Sequence, residues 1–291
     1  MAADYPFPGS GFGPLLKKSG KERALFLSGG SNKPQKIRYQ VISDFKDIRA
    51  CLQLRYVTYR YVNFVEENED RLDVDAYDRY SDFLGAFNVT GGKRTLVGAL
   101  RVISGYELSN TASHVEKIIR DARNPGIRAL KERPELFPLM ESFELPASSL
   151  KPCGNPGSGK ASAPPYEISR LVIRPDYWLH GIEVGLHYLL ILESMLHNPA
   201  RKDFLIAVHP RSKKRYEKLG LKVIPGTGQV LYKYINQLAI AMVVDMKTLL
   251  GKPPGYGETC ESLLPGFRKH GFFIRTVKAR DSYNSSNSSN P

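Results

Sequence analysis

The chain has 291 residues, 42% of them hydrophobic and 24% charged, a globular composition that excludes disorder over most of the length and suits one principal domain. Lys and Arg number 42 against 29 Asp and Glu, a formal net charge of +13; such a molecule attracts anions at long range, and nucleic acid, an acidic lipid face and an acidic protein all remain open as partners. Cys51, Cys153 and Cys260 are too few and too widely spaced for a disulfide framework or a zinc ribbon, which fits a reducing cytoplasm.

Residues 1–36, with Pro6, Pro8, many glycines and the cations Lys17, Lys18, Lys21 and Arg23, read as a flexible basic segment without the apolar core of a signal peptide. The main domain is expected over 37–250. Between 41 and 62 the spacing of Ile48, Leu52, Tyr56 and Tyr59 predicts an amphipathic helix, with Asp44 or Ser43 as its cap. Residues 84–89 and 95–103 predict two strands of a hairpin across Thr90-Gly91-Gly92-Lys93. The pattern weakens over 104–165, and a Pro/Gly-rich insertion is expected at about 131–165; its Gly154 to Lys160 stretch lacks the register of a phosphate-binding loop.

A strand at 166–173, a mostly apolar helix at 182–196, a strand at 204–208 and a basic helix at 212–219 closed by Gly220 follow in order. Two strands joined by a long helix should be parallel inside an otherwise antiparallel sheet. Residues 230–234 and 238–244 fit strands or the start of a helix equally. A C-terminal extension over 251–291 ends in a disordered Ser/Asn tail, and no segment has the ~18 continuous apolar residues that cross a bilayer.

Three clusters carry chemistry-bearing residues. Asp73, Asp75 and Asp78 form either a turn-and-cap cluster or a cation-binding lip, with Arg55 and Arg101 as available internal partners. In Tyr166-Glu167-Ile168-Ser169-Arg170-Leu171-Val172-Ile173, a Glu and an Arg interrupt a buried-looking strand, so they must pair or face a cleft. Strict alternation separates them onto opposite faces, and a β-bulge between them would bring both to one side. The run from His209 to Lys222 is a solvated helix face or an anion-docking patch.

Arg-Tyr-Glu-Lys-Leu-Gly-Leu-Lys at 215–222, after a β-α-β unit, resembles the closing motif of the GNAT acyltransferase fold. Arg55, Asp75-x-Tyr77-Asp78, Gly98-x-Leu100-Arg101, Phe143 and Glu167-Ile-Ser-Arg170 resemble, in order and spacing, the acyl-homoserine-lactone synthases and the related N-acyl amino acid synthases, including those of PEP-CTERM/exosortase systems. The resemblance spans about 42–228. It implies an α+β, GNAT-type fold: a mixed, mostly antiparallel twisted sheet flanked by helices, with a central parallel strand pair. It also implies a bacterial, cytoplasmic enzyme that moves a fatty acyl group from the phosphopantetheine thioester of acyl carrier protein to an amine, with no bound cofactor and no metal. Under it Glu167 deprotonates the amine, Arg170 is its charge partner, and Tyr216 protonates the departing thiolate. Arg55, Asp75, Asp78, Arg101 and Phe143 shape the substrate side.

Departures from the family pattern refine that expectation. Of Trp178-Leu179-His180-Gly181-Ile182-Glu183, only Gly181 fits the coenzyme A diphosphate loop, and Glu183 places a negative charge where the diphosphate would sit. That favours carrier protein as donor, and Arg211, Lys213, Lys214 and Arg215 are the expected docking patch for its acidic surface. Phe64-Val65 stands where autoinducer synthases carry a tryptophan, and the long insertion resembles the N-acyl amino acid synthases, so an amino acid is the expected acceptor. An autoinducer synthase using S-adenosylmethionine is the alternative enzyme. A basic nucleic-acid-binding module is the alternative of another class, without any recognisable nucleic-acid motif to support it. Peripheral membrane contact through the basic tails stays open.

Overall fold

The computed structural model describes residues 33–105, 107–130, 137–145, 166–197, 203–232, 237–251 and 255–278. The basic N-terminal segment up to residue 32, most of the Pro/Gly-rich insertion, Cys153 and the Ser/Asn tail lie outside the described residues.

In chain order the elements begin with β1 (Gln35–Ile42), α1 (Phe45–Tyr61), a 3-10 turn (Ala76–Tyr80), β2 (Ser81–Asn88) and β3 (Thr95–Ile103). The short helices α2 (Ala112–Asp121), α3 (Pro125–Arg128) and α4 (Pro138–Ser142) follow, then β4 (Tyr166–Ile173), α5 (Ile182–His197), β5 (Asp203–Val208), α6 (Lys213–Lys218), β6 (Lys222–Val223), β7 (Val230–Tyr232) and β8 (Gln237–Asp245). The last are α7 (Met246–Gly251), α8 (Tyr256–His270) and β9 (Phe272–Val277). The start of α1 is set by Asp44, whose carboxylate accepts the Asp47 N–H at 2.9 Å, the cap expected from the sequence.

The sheet runs β6-β8-β5-β4-β3-β2-β1-β9, with β7 paired to β8. Every pair is antiparallel except β4 and β5, the mixed sheet with a central parallel pair that the sequence predicts. Residues 230–232 and 237–245 resolve as strands.

Two features were not predicted. Residues 35–42 form β1, whose Ile37 and Tyr39 are fully buried while Lys36 is exposed; Ile37, Tyr39 and Val41 alternate with Lys36, Arg38 and Gln40, a strand signal that the reading of a basic segment up to residue 36 passed over. The boundary expected at residue 250 does not coincide with an edge of the core, because β9 hydrogen-bonds to β1 and α8 packs on α5. Tyr256, Cys260, Phe267 and Phe273 join the central cluster, so the extension completes the sheet.

On one face α5 and α8 cover Ile37, Tyr39, Leu84, Leu100 and Val102. On the other, α1 and α2 cover Ile42, Phe83, Phe87 and Ala99. α5 approaches β1 so closely that a Cβ at Gly185 would stand 2.1 Å from the Tyr39 ring. Only glycine fits there. Cys51 and Cys260 are buried free thiols. Among the described residues no helix is long and apolar enough to cross a membrane.

Candidate active site

The site begins with a break in the sheet. Ala99 pairs with Val172 and Arg101 with Ser169, so Arg170 and Leu171 of β4 stand opposite Leu100 alone, and Arg170 has φ 54°. This is the β-bulge that the Glu167/Arg170 pattern called for. It turns the Arg170 side chain to the face of Arg101 and Ser169, where strict alternation would have sent it to the opposite face. The β4–β5 ladder ends beside it, at Ile168 opposite Ile206. Beyond that point the two strands flank a cleft lined by Ser169, Arg170 and Leu171 on one side and Ala207, Val208 and His209 on the other.

Behind the cleft lies a buried ion cluster. Asp75 opens the 3-10 turn, its carboxylate accepting the Tyr77 N–H at 2.9 Å while Asp78 accepts the Asp75 N–H at 2.9 Å. Arg55 donates to Asp73 at 2.9 Å and to Asp78 at 2.6 Å. Arg101 donates to Asp75 at 2.6 Å, to Asp78 at 3.0 Å and to the Ser169 hydroxyl at 2.9 Å. Arg170 lies 3.2 Å from both Asp73 and Asp75. Burial opposes the charged form of Asp75, but Arg101, Arg170 and Arg55 outweigh it and hold the carboxyl well below its ordinary range. Asp73 is held down against its own desolvation by Arg170 and Arg55.

Three carboxylates and three guanidiniums therefore neutralise one another, which corrects the picture of an open cation-binding lip. Both sequence readings of the aspartates, cap and ion partner, hold at once. Of the expected substrate-side residues only Arg101 reaches the cleft wall; Arg55 and Asp78 are fully buried, and Asp75 is occupied by two arginines. Phe143 packs with Tyr77, Ile103, Leu139 and Leu205 in an apolar cluster under β5, away from the cleft lining. Arg170 pairs with Asp73 and Asp75 instead of Glu167, because the bulge carries it toward the aspartates.

Glu167 is 1% exposed. One carboxylate oxygen accepts the Leu139 N–H at 3.0 Å, a donor left over at the start of α4, and the other lies 3.5 Å from the Tyr232 hydroxyl. Desolvation raises its pKa to about 7, against the lowering effects of the Leu139 N–H and Arg101. A carboxyl so poised both holds and accepts a proton near neutrality.

Tyr216 of α6 lines the cleft, and desolvation pushes its phenol above the ordinary value, which keeps it protonated near neutrality. His187 of α5 also lines the cleft and is neutral, its pKa lowered to about 4 by desolvation. At the start of α5 Gly181 takes a left-handed φ of 64°. Glu183 is 5% exposed there and accepts from Arg215 at 3.0 Å. Arg215, a member of the expected docking patch, is thus tied to Glu183 while its side chain stays 40% exposed. Lys213 pairs with Glu217 at 3.6 Å on the surface, and among the described residues Arg211 and Lys214 are exposed and make no ion pair.

Tyr232, the Leu139 N–H and Ser169 were not singled out from the sequence. Tyr232 stands in a segment whose strand or helix character the sequence leaves open, and the Leu139 contact uses a backbone group, which no residue pattern records.

No protein-family profile matches the sequence, and no curated protein matches it. Among solved structures, FeeM, an N-acyl amino acid synthase from uncultured soil microbes, is similar with a TM-score of 0.51 at 14% identity, covering 78% of this chain and 99% of its own. BjaI, a coenzyme A-dependent acyl-homoserine lactone synthase, aligns with a TM-score of 0.47 at 16% identity, over 79% of this chain and 90% of its own. The acyl-homoserine lactone synthase LasI aligns with a TM-score of 0.46 at 12% identity, over 76% and 97%. The chain thus has the α+β fold of FeeM, the GNAT-type architecture that its sequence motifs resemble.

Proposed function

We propose that the protein is an N-acyltransferase that moves a fatty acyl group from acyl carrier protein to the amine of an amino acid. The observation that carries this reading is Glu167: a buried carboxyl poised at about 7, beside a cleft that also presents Tyr216. An ammonium is not a nucleophile, so attack on a thioester requires a base that takes its proton first. Glu167 is that base. The amine nitrogen then bonds to the thioester carbon, and the carbonyl oxygen becomes an oxyanion. The bulge at Arg170 and Leu171 opens the β3–β4 ladder at the cleft wall, and its peptide N–H groups are the donors proposed for the oxyanion. When the C–S bond breaks, the thiolate takes the Tyr216 proton, and the surplus N–H proton of the new amide passes to the Tyr216 phenolate, so the tyrosine ends as it began.

The donor end supports carrier protein. A coenzyme A diphosphate needs open backbone donors at a helix start, and here the first turn of α5 holds the buried Glu183 carboxylate, paired with Arg215. A phosphopantetheine arm needs only the cleft, with Arg211 and Lys214 facing an acidic carrier. The fold similarity to FeeM, described as an N-acyl amino acid synthase, supports an amino acid acceptor.

The test is mass spectrometry of lipid extracts from cells making the protein or its Glu167→Gln variant, followed by the purified protein with acyl carrier protein thioesters or acyl-coenzyme A. N-acyl amino acids formed by the intact protein alone, with the carrier thioester preferred, are the expected result. Equal turnover by Glu167→Gln removes Glu167 as base, and preference for acyl-coenzyme A reverses the donor assignment.

A further inference from the structure

Glu167 lies one layer behind the cleft. The wall there is made by Tyr232, Ser169, Arg101, Gln237 and Ala239, while Glu167 is 1% exposed with one oxygen committed to the Leu139 N–H. A substrate amine in the cleft meets the Tyr232 hydroxyl first. That hydroxyl is 3.5 Å from the second Glu167 oxygen, a separation that a bound substrate closes to hydrogen-bond length by a shift of about half an ångström, as catalytic contacts do on forming the reactive complex.

We infer, resting on the acyl-transfer reading above, that Tyr232 is a further catalytic residue, relaying the proton from the substrate ammonium to Glu167. In this step the substrate N–H bond breaks as a new O–H bond forms on the phenol oxygen. The tyrosine's original O–H bond breaks as the proton passes to the free Glu167 oxygen. The ammonium becomes an amine, the carboxylate becomes a carboxylic acid, and the tyrosine ends as it began. Burial and the Glu167 carboxylate hold the phenol well above its ordinary range, so a free phenolate is avoided and the two transfers are concerted. The charged groups acting on the pair are Arg101, Arg170 and Asp75 of the neutral cluster, and Gln237 stands opposite Tyr232 across the β7–β8 ladder. The same position gives Tyr232 a view of the acceptor that Glu167 lacks.

The experiment compares the intact protein with Tyr232→Phe and Glu167→Gln, using a carrier protein thioester and amino acids, with thiol release and product mass read together. Phenylalanine keeps the ring in its cluster with Leu205 and Ala239, so the melting curve should be unchanged. The expected kinetic result is a fall in kcat of about a hundredfold or more, the usual scale for one proton-transfer group, with KM within about threefold. The rising limb of kcat with pH, near 7 in the intact protein, should move up toward the amine's own value. Retention of kcat within about threefold by a folded Tyr232→Phe protein overturns the relay and leaves the acyl-transfer reading standing. An intact protein that acylates no amine overturns that reading and the relay with it. If Tyr232→Phe fails to fold, 3,5-difluorotyrosine at position 232 keeps the shape and makes the phenol more acidic. An altered kcat-pH profile then supports the relay, and an unaltered one overturns it.

Discussion

Replacing Glu167 by Gln should stabilise the protein at high pH, and the size of the effect follows from the carboxyl's surroundings. In the unfolded chain this carboxyl titrates near 4.5; in the fold burial raises it to about 7. The sign follows from proton binding: between those two values the folded state holds the proton and the unfolded state does not, so stability falls as pH rises from about 4.5 to 7. With about 1.4 kcal/mol for each tenfold change in the equilibrium, the native protein loses about 3 kcal/mol from this group, and above pH 7 the loss levels off. Glutamine stands in for the protonated acid and does not titrate. The measurement is urea unfolding of both proteins from pH 4 to pH 9, read as their difference so that other titrations cancel. The difference should be near zero at pH 4, open steadily, and flatten above pH 7 with the variant about 3 kcal/mol the more stable. A difference independent of pH would refute the reasoning, since Glu167 would then titrate alike in the folded and unfolded chain.

Further predictions test the frame around the site. Asp78→Asn leaves Arg55 and Arg101 facing an amide in a buried setting and should cost about 3–5 kcal/mol; a urea midpoint corresponding to less than about 1 kcal/mol would show the cluster to be well solvated. Gly185→Ala drives a methyl into the Tyr39 ring and should cost about 1–3 kcal/mol by overpacking. Shrinking the ring with Tyr39→Leu should relieve it, and strictly additive losses in the double variant would exclude that contact as the cause. Reversing Arg211 and Lys214 to Glu should weaken carrier-protein binding at low salt and lose most of its effect as the screening length falls from about 10 Å at 0.1 M to about 3 Å at 1 M. Affinity unchanged at 0.05 M salt would place the docking surface elsewhere.

The sequence was informative where its signals were periodic or locally contradictory. Strand 166–173, helix 182–196 and their parallel partner came from apolar runs of contrasting length, and the bulge from two charges that alternation alone could not reconcile. What the sequence could not disclose was which charges would meet. Arg170 looked like the natural partner of Glu167, three residues away, yet the left-handed turn at Arg170 sends its guanidinium to Asp73 and Asp75. Arg215 looked like a surface cation in a basic run, and one buried carboxylate on α5 claims it. Tyr232 was invisible because its contact with Glu167 joins residues 65 positions apart in the chain.

The placement of β1 between β2 and β9 sets an order of events during synthesis. Gln35 lies opposite Val277 and Tyr39 opposite Phe273, with the two rings stacked 4.9 Å apart. As the chain emerges N-terminus first, β1 can pair with β2 early. Its other row of N–H and C=O groups stays open until residues 272–277 arrive, and an open edge of this kind templates pairing with other chains. β1 is therefore an adhesive edge until β9 pairs with it, after which β9 is itself the edge strand. A chain halted before β9 would contain both halves of the cleft with the eight residues of β1 as its open edge, whereas with β9 in place the edge is the six residues Phe272–Val277.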